Sequence, residues 1–191
     1  MPAISPLRQG GVCQGRFVDY ERLLRDLGAP RRLVTHGALV CEAADEILAV
    51  MRRLNAPLDE EWVRAGAWLH DAGKTIHTGE LSQPGHEHER AGEKLLSSRG
   101  VDARIAQCCV SHANWTPESA LEELLVALAD KLWKGVRHEA LEALVCDVVS
   151  KKLERERWSV FVELDACFER VADAGDERLR RSRVTNAGDL G

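Results

Sequence analysis

No stretch of this sequence approaches the ~20 consecutive apolar residues that cross a bilayer as a helix, so no membrane partner is expected. The opening residues, MPAISPLRQGG, contain no apolar h-region. No secretory signal is read there, and the expected compartment is the cytoplasm. The six cysteines, Cys13, Cys41, Cys108, Cys109, Cys146 and Cys167, form no C-x-x-C pair. In a reducing compartment that argues against disulfides. Most of these cysteines lie in apolar helical stretches, where a thiol acts as a small hydrophobe, so they are expected in the core. The chain also lacks a P-loop, a Rossmann glycine pattern, zinc-finger spacing and a G-x-S-x-G elbow. Alternating β-type patterning, internal repeats and low-complexity blocks are missing as well. There is no excess of positive charge: the formal net charge is −5, so no general attraction to nucleic acid is expected. A local basic patch can still hold a phosphate.

What is present is helical. A length of 191 residues favours one domain with a sizeable core, and 45% hydrophobic with 30% charged residues is ordinary for a globular protein. The sequence predicts an all-α, single-domain bundle of about seven helices. A loose arm is expected over 1–16, a helical domain over 17–173 with its motif-bearing core at 32–135, and a flexible tail over 174–191. That tail is polar and carries Arg178, Arg180, Arg181 and Arg183, for which a phosphate-binding arm is the alternative reading.

The periodicity places helices at about Val18–Leu27, Arg32–Leu54, Glu60–Ala72, His86–Ser98, Asp102–His112 and Glu118–Trp133. Two more stretches, about Val136–Val149 and Trp158–Ala172, are joined by Lys151–Arg157 as a loop or as continuous helix. His36 falls on the apolar stripe of its helix with Val40, Ala43 and Ile47, away from Glu42, Glu46 and Arg53, which read as solvated. The segment Val126–Leu132 is apolar nearly all round, which predicts a central helix.

Asp130 sits inside that central segment. A buried carboxylate is costly unless it is paired, hydrogen-bonded or bound to a metal. A salt bridge to a nearby lysine or arginine is the plain explanation for Asp130 alone, and a hydrogen-bonded core histidine is the plain explanation for His36 alone. Taken together, four helices each direct a histidine or aspartate inward. Imidazole with carboxylate suits divalent ions such as Mn, Fe, Co, Ni or Zn.

The ordered set His36, His70-Asp71 and Asp130 resembles the HD superfamily of metal-dependent phosphohydrolases. Trp68-Leu69-His70-Asp71-Ala72-Gly73-Lys74 is similar to its HD-x-G-K signature. His88-Glu89-Arg90-Ala91-Gly92 is similar to its following motif, and Ala129-Asp130-Lys131-Leu132 to its last. The resemblance spans about Thr35–Trp133, roughly half the chain. It implies that His36, His70, Asp71 and Asp130 hold one divalent metal, Mn, Fe, Co, Ni, Zn or Mg. In binuclear members two further histidines hold a second metal and the aspartate bridges both. Here those would be His88 and His112. His86, two residues from His88, cannot share its helix face and is expected at a cap or pocket rim.

The resemblance also implies a phosphorylated small-molecule substrate, most commonly a nucleotide, with Lys74 contacting phosphate. A carboxylate or histidine near the metal, Asp71 in a mononuclear site, could handle the proton of an attacking water. His77, Arg90 and Lys134 are further substrate-side candidates. Trp62, Trp68, Trp115 and Trp133 read mainly as core, with Trp115, next to a loop, the first to consider for base stacking. His138 is expected at the surface. A regulatory metal- or nucleotide-binding module and a di-iron oxygenase remain as alternatives; Lys74 disfavours the latter. A homodimer through the C-terminal helices, using Val160, Phe161, Leu164, Phe168 and Val171, is compatible with the pattern.

Overall fold

The computed structural model describes residues 19–187, with side chains to Arg183. The arm expected over 1–16, and Cys13 within it, lie outside the described residues.

The chain is all-helical, as its patterning predicts, with no strand among the described residues. Helix α1 spans Tyr20–Asp26 and is capped by Asp19, whose carboxylate accepts the Arg22 amide. Helix α2, Arg31–Leu54, stops where Asn55 takes a left-handed conformation (φ 57°). Asp59 caps α3, Glu60–Leu69, and Glu60 and Glu61 sit favourably in its first turn. Two short 3-10 turns, Ala72–Thr75 and Thr78–Leu81, follow, so the helix expected to run to Ala72 stops at Leu69. Next come α4 (Glu87–Ser98), α5 (Ala103–Ser111) and α6 (Leu121–Leu132). Helix α7, Glu139–Leu153, ends at a left-handed Glu154, so a break separates it from α8, Arg157–Asp173.

The core sits between α2, α3, α6, α7 and α8. Every residue from Leu124 to Ala129 is fully buried, so α6 is the central helix that its nearly uniform apolarity predicts. Five of the cysteines, Cys41, Cys108, Cys109, Cys146 and Cys167, are buried and unpaired. Burial pushes the Cys41 and Cys108 thiols up to about 12, which leaves them inert packing groups.

The segment from Gly175 corrects the expectation of a tail. Gly175–Ala187 is a helix, α9, packed on α2 and α8. Its low apolar content hid it, because it docks through a cation. Arg178 is only 1% exposed and donates to the Val171 carbonyl at 2.7 Å, to Glu42 at 3.1 Å and to Glu46. Arg181 donates to Glu42 at 2.7 and 2.9 Å. Glu42 and Glu46, read as solvated, are therefore the seat of α9. A Cβ at Gly175 would stand 2.3 Å from the Gly135 amide, so glycine is what lets the chain turn there.

Candidate metal centre

Helix α3 ends at His70, and the chain then leaves helical geometry at Asp71 (φ −99°, ψ 10°) to enter the first 3-10 turn. The turn packs directly on α4. A Cβ at Gly73 would lie 1.9 Å from the His88 carbonyl oxygen, and one at Gly92 would lie 2.9 Å from the Gly73 amide. These two glycines let backbone meet backbone, and that approach brings His88 to Asp71. His36 arrives from α2, His112 from the end of α5, and Asp130 from α6.

The donors divide into two groups around Asp71. His36, His70 and Asp71 place ligand atoms within 4.8 Å of one another, and so do Asp71, His88 and His112. Asp71 Oδ2 lies 3.2 Å from His36 Nε2 and 3.7 Å from His70 Nε2. Asp71 Oδ1 lies 3.2 Å from His88 Nε2 and 3.8 Å from His112 Nε2. Asp130 Oδ1 joins the first group, 3.6 Å from His36 Nε2 and 3.8 Å from His70 Nε2. Donors held at about 2.0–2.2 Å from one ion would show separations of this size.

The remaining ring nitrogens are anchored by the protein. His70 Nδ1 donates to the Ala67 carbonyl at 3.0 Å, and His112 Nδ1 to the Cys108 carbonyl at 3.1 Å. A carbonyl only accepts, so both Nδ1 atoms carry the proton and both Nε2 lone pairs face the centre. His88 Nδ1 meets Glu80 Oε2 at 2.5 Å. Asp71 Oδ1 and His88 Nε2 are buried with no hydrogen-bond partner among the described residues. Orphaned donors of this kind, aimed at one point, fit a divalent cation.

The electrostatics agree. Burial pushes His70 down to about 3 and lowers His112, so both stay neutral ligands. Burial alone would raise Asp71 and Asp130, but the neighbouring histidines outweigh it and hold both carboxyls low, with Lys134 and Lys131 assisting at Asp130. For His88 burial works downward, yet the adjacent carboxylates of Asp71 and Glu80 raise it overall.

His88 is buried whereas His86 is exposed at the cap position of α4, bonded to Glu89 at 2.9 Å. The geometry therefore favours His88 for the cluster. Lys74 Nζ lies 2.6 Å from Asp71 Oδ2. Lys131 and Lys134 approach Asp130 Oδ2 at 3.0 and 3.9 Å.

Beside the cluster opens a cleft of ≈ 690 Å³, lined by Arg32, Leu33, His36, Asp71, Lys74, Leu81, Trp133, Leu179, Ser182 and Arg183. A larger cavity of ≈ 790 Å³ between α1, α2 and α9 contains none of the donors, so the chemistry points to the smaller one. Four of the five substrate-side candidates are not among the cleft-lining residues. Arg90 is exposed and paired with Glu93, and His77 stands at the start of the second 3-10 turn. Lys134 lies 3.9 Å from Asp130 Oδ2 and does not line the cleft. Trp115 packs edge-on against His138 at 5.6 Å, and Trp133 lines the cleft in its place. His138, expected at the surface, is half-buried and caps α7. Sequence reasoning missed Glu80 and Arg32, and it placed Arg183 only in the polar tail.

A sequence model described as the HD domain matches residues 28–133, more than half of the chain and the whole donor cluster. The chain belongs to the HD domain family. That family is one of metal-dependent phosphohydrolases, and the His/Asp clusters here are able to hold a metal. Similar proteins include a tRNA (cytidine(56)-2'-O)-methyltransferase of Thermoplasma volcanium, 31% identical over 69% of this HD domain chain and 40% of its own length. Ribonuclease Y of Cutibacterium acnes is 28% identical over 65% of the chain and 23% of its own length. An uncharacterized protein of Methanocaldococcus jannaschii is 30% identical over 72% of the chain and 86% of its own length. The chain thus spans less than half of the first two relatives. No solved structure matches it significantly. No helix among the described residues is long and apolar enough to cross a membrane.

Proposed function

We propose that this HD domain protein is a phosphohydrolase that cleaves a phosphate ester or anhydride of a nucleotide, using a metal-activated water. The observation that carries the reading is the placement of Asp71, whose two oxygens face separate histidine pairs. His36, His70, Asp71 and Asp130 would hold one ion, and Asp71, His88 and His112 a second. A divalent ion bound there supplies Lewis acidity and a water of near-neutral pKa.

The chain's own residues do the rest. In a centre holding one ion, Asp71 would keep one oxygen free and ionised, to accept the water's proton or orient its attack. Lys74, cationic and beside Asp71, neutralises charge developing on the phosphoryl oxygens. Leu33, Leu81 and Trp133 give the cleft an apolar side. No serine or cysteine nucleophile is required, and the buried thiols are pushed upward and out of service.

The test is elemental analysis of protein purified without added metal, run beside phosphate release from a nucleotide panel with Mn, Co, Ni, Mg and Fe. About one or two equivalents of metal, with turnover lost in Asp71→Ala, is the expected result. No bound metal and no turnover with any ion would leave a regulatory module. Oxygen consumption after anaerobic iron loading would instead identify an oxygenase.

A further inference from the structure

The cleft beside the centre has a second cationic wall. Arg32 stands in the first turn of α2 and Arg183 near the end of α9, and both line the cleft that contains His36, Asp71 and Lys74. Both are exposed, and neither has an ionic or hydrogen-bond partner among the described residues. Their neighbours differ: Arg25 is paired with Glu21, Arg178 with Glu42 and Glu46, and Arg180 with Glu177. Among the described lining residues Asp71 is the one carboxylate, and it belongs to the donor cluster. The first turn of α2 holds no acidic residue and its cap makes no side-chain bond. Cations at the positive end of a helix dipole are unfavourable unless an anion joins them.

We propose that Arg32 and Arg183 take a second phosphoryl group of the substrate, which makes the preferred ligand a nucleotide carrying two phosphoryl groups. This rests on the phosphohydrolase reading of the same cleft for the fate of the first group. A guanidinium binds phosphate oxygens in bidentate fashion, which suits an exposed arginine with no carboxylate to satisfy it. A cleft of ≈ 690 Å³ is larger than one phosphate needs and falls within the range of small-molecule sites. Leu33, Leu81, Leu179 and Trp133 give the sugar and base an apolar surface. Arg183 belongs to α9, outside the matched residues 28–133, so this part of the specificity is added by the C-terminal helix. A long RNA track is less well supported, because Arg180 and Arg181 nearby are neutralised by Glu177 and Glu42 and the whole chain carries −5.

The test is calorimetric titration of the full chain, as purified and again after chelation to exclude turnover. The ligands are AMP, ADP, adenosine 3′,5′-bisphosphate and a short single-stranded RNA. One of the two-phosphate nucleotides should bind at least about tenfold tighter than AMP, and which one tells whether the phosphoryl groups are adjacent or at opposite ends. That preference should fall to about twofold or less in Arg32→Ala and in Arg183→Ala, return in part in Arg183→Lys, and persist in the exposed control Arg99→Ala. Both cleft arginines are exposed and unpaired, so their removal leaves the fold intact. Equal binding of AMP and both two-phosphate nucleotides overturns the inference, as does a preference that survives both alanine variants. Tighter binding of RNA than of either nucleotide overturns it in favour of an RNA ligand. A preference without turnover supports the arginine site while sinking the hydrolase reading. Turnover without a preference sinks the arginine site alone.

Discussion

Asp71 Oδ1 and His88 Nε2 lie 3.2 Å apart in the interior, and neither has a hydrogen-bond partner among the described residues. Leaving a buried polar atom unsatisfied costs about 1–3 kcal/mol, so two such atoms side by side call for a shared ligand. If that ligand is the second metal, His88→Ala should remove one equivalent while the first remains with His36, His70 and Asp130. Asp71→Ala should remove both. Elemental analysis of the two variants checks this, and identical metal content in both would sink the bridging role of Asp71.

Metal binding should also stabilise the fold. The donors come from α2, α3, α5 and α6 and from the start of α4, so an unfolded chain presents no such site. An ion at about one hundred times its Kd adds about 2.7 kcal/mol. For a chain of this size that is a rise in Tm of about 5–10 °C. Thermal denaturation in EDTA and in excess Mn measures it, and equal midpoints would argue that the cluster binds nothing.

Glu80 is the least conspicuous member of the site. Its carboxylate sits 2.5 Å from His88 Nδ1 and accepts the Glu87 amide at 3.1 Å. His88 is thereby held with Nε2 forward, and outer partners of this kind are worth about 10–100-fold in metal affinity. Glu80→Ala should weaken the second equivalent by that factor and leave the first within about twofold. A metal titration followed by calorimetry shows the split; equal weakening of both equivalents would mean a general disturbance instead.

These residues mark how far the sequence could be read. His36 and Asp130 were legible because each is a polar group on an apolar helical stripe, where burial demands a partner, and His70 and Asp71 because the segment Trp68–Lys74 resembles the family signature. The choice of His88 over His86 followed from helical spacing, and burial agrees with it. Glu80 was not legible: it lies in a polar loop without periodicity, and its role depends on a contact eight residues away. Nor was α9, whose seat on α2 is an ion pair separated by 136 residues. Trp115 and Trp133 illustrate the same limit, since which indole faces a cleft is decided by tertiary packing.

The buried guanidinium of Arg178 gives the last prediction. It donates to Val171, Glu42 and Glu46 and is what fixes α9 against the domain. Arg178→Ala leaves the Val171 carbonyl without its donor and a gap beneath α9. Glu42 and Glu46 stay partly exposed and can be rehydrated, so the cost is about 1–3 kcal/mol, below that of a fully buried pair. The loss should be local, with faster amide exchange across 175–187 and unchanged protection in α6. Acid should reproduce part of it. Bonds from Arg181, and then from Arg178, hold the Glu42 carboxyl below its ordinary value despite partial burial. A carboxyl lowered by folding contributes stability above its unfolded pKa of about 4.3, and loses it as pH falls through the lower folded value. Exchange in α9 should therefore be flat from about pH 8 to 5, after correction for the intrinsic rate, and accelerate below about pH 4. Acceleration in α6 at the same pH, without an earlier change in α9, would show that this ion pair does not govern the docking.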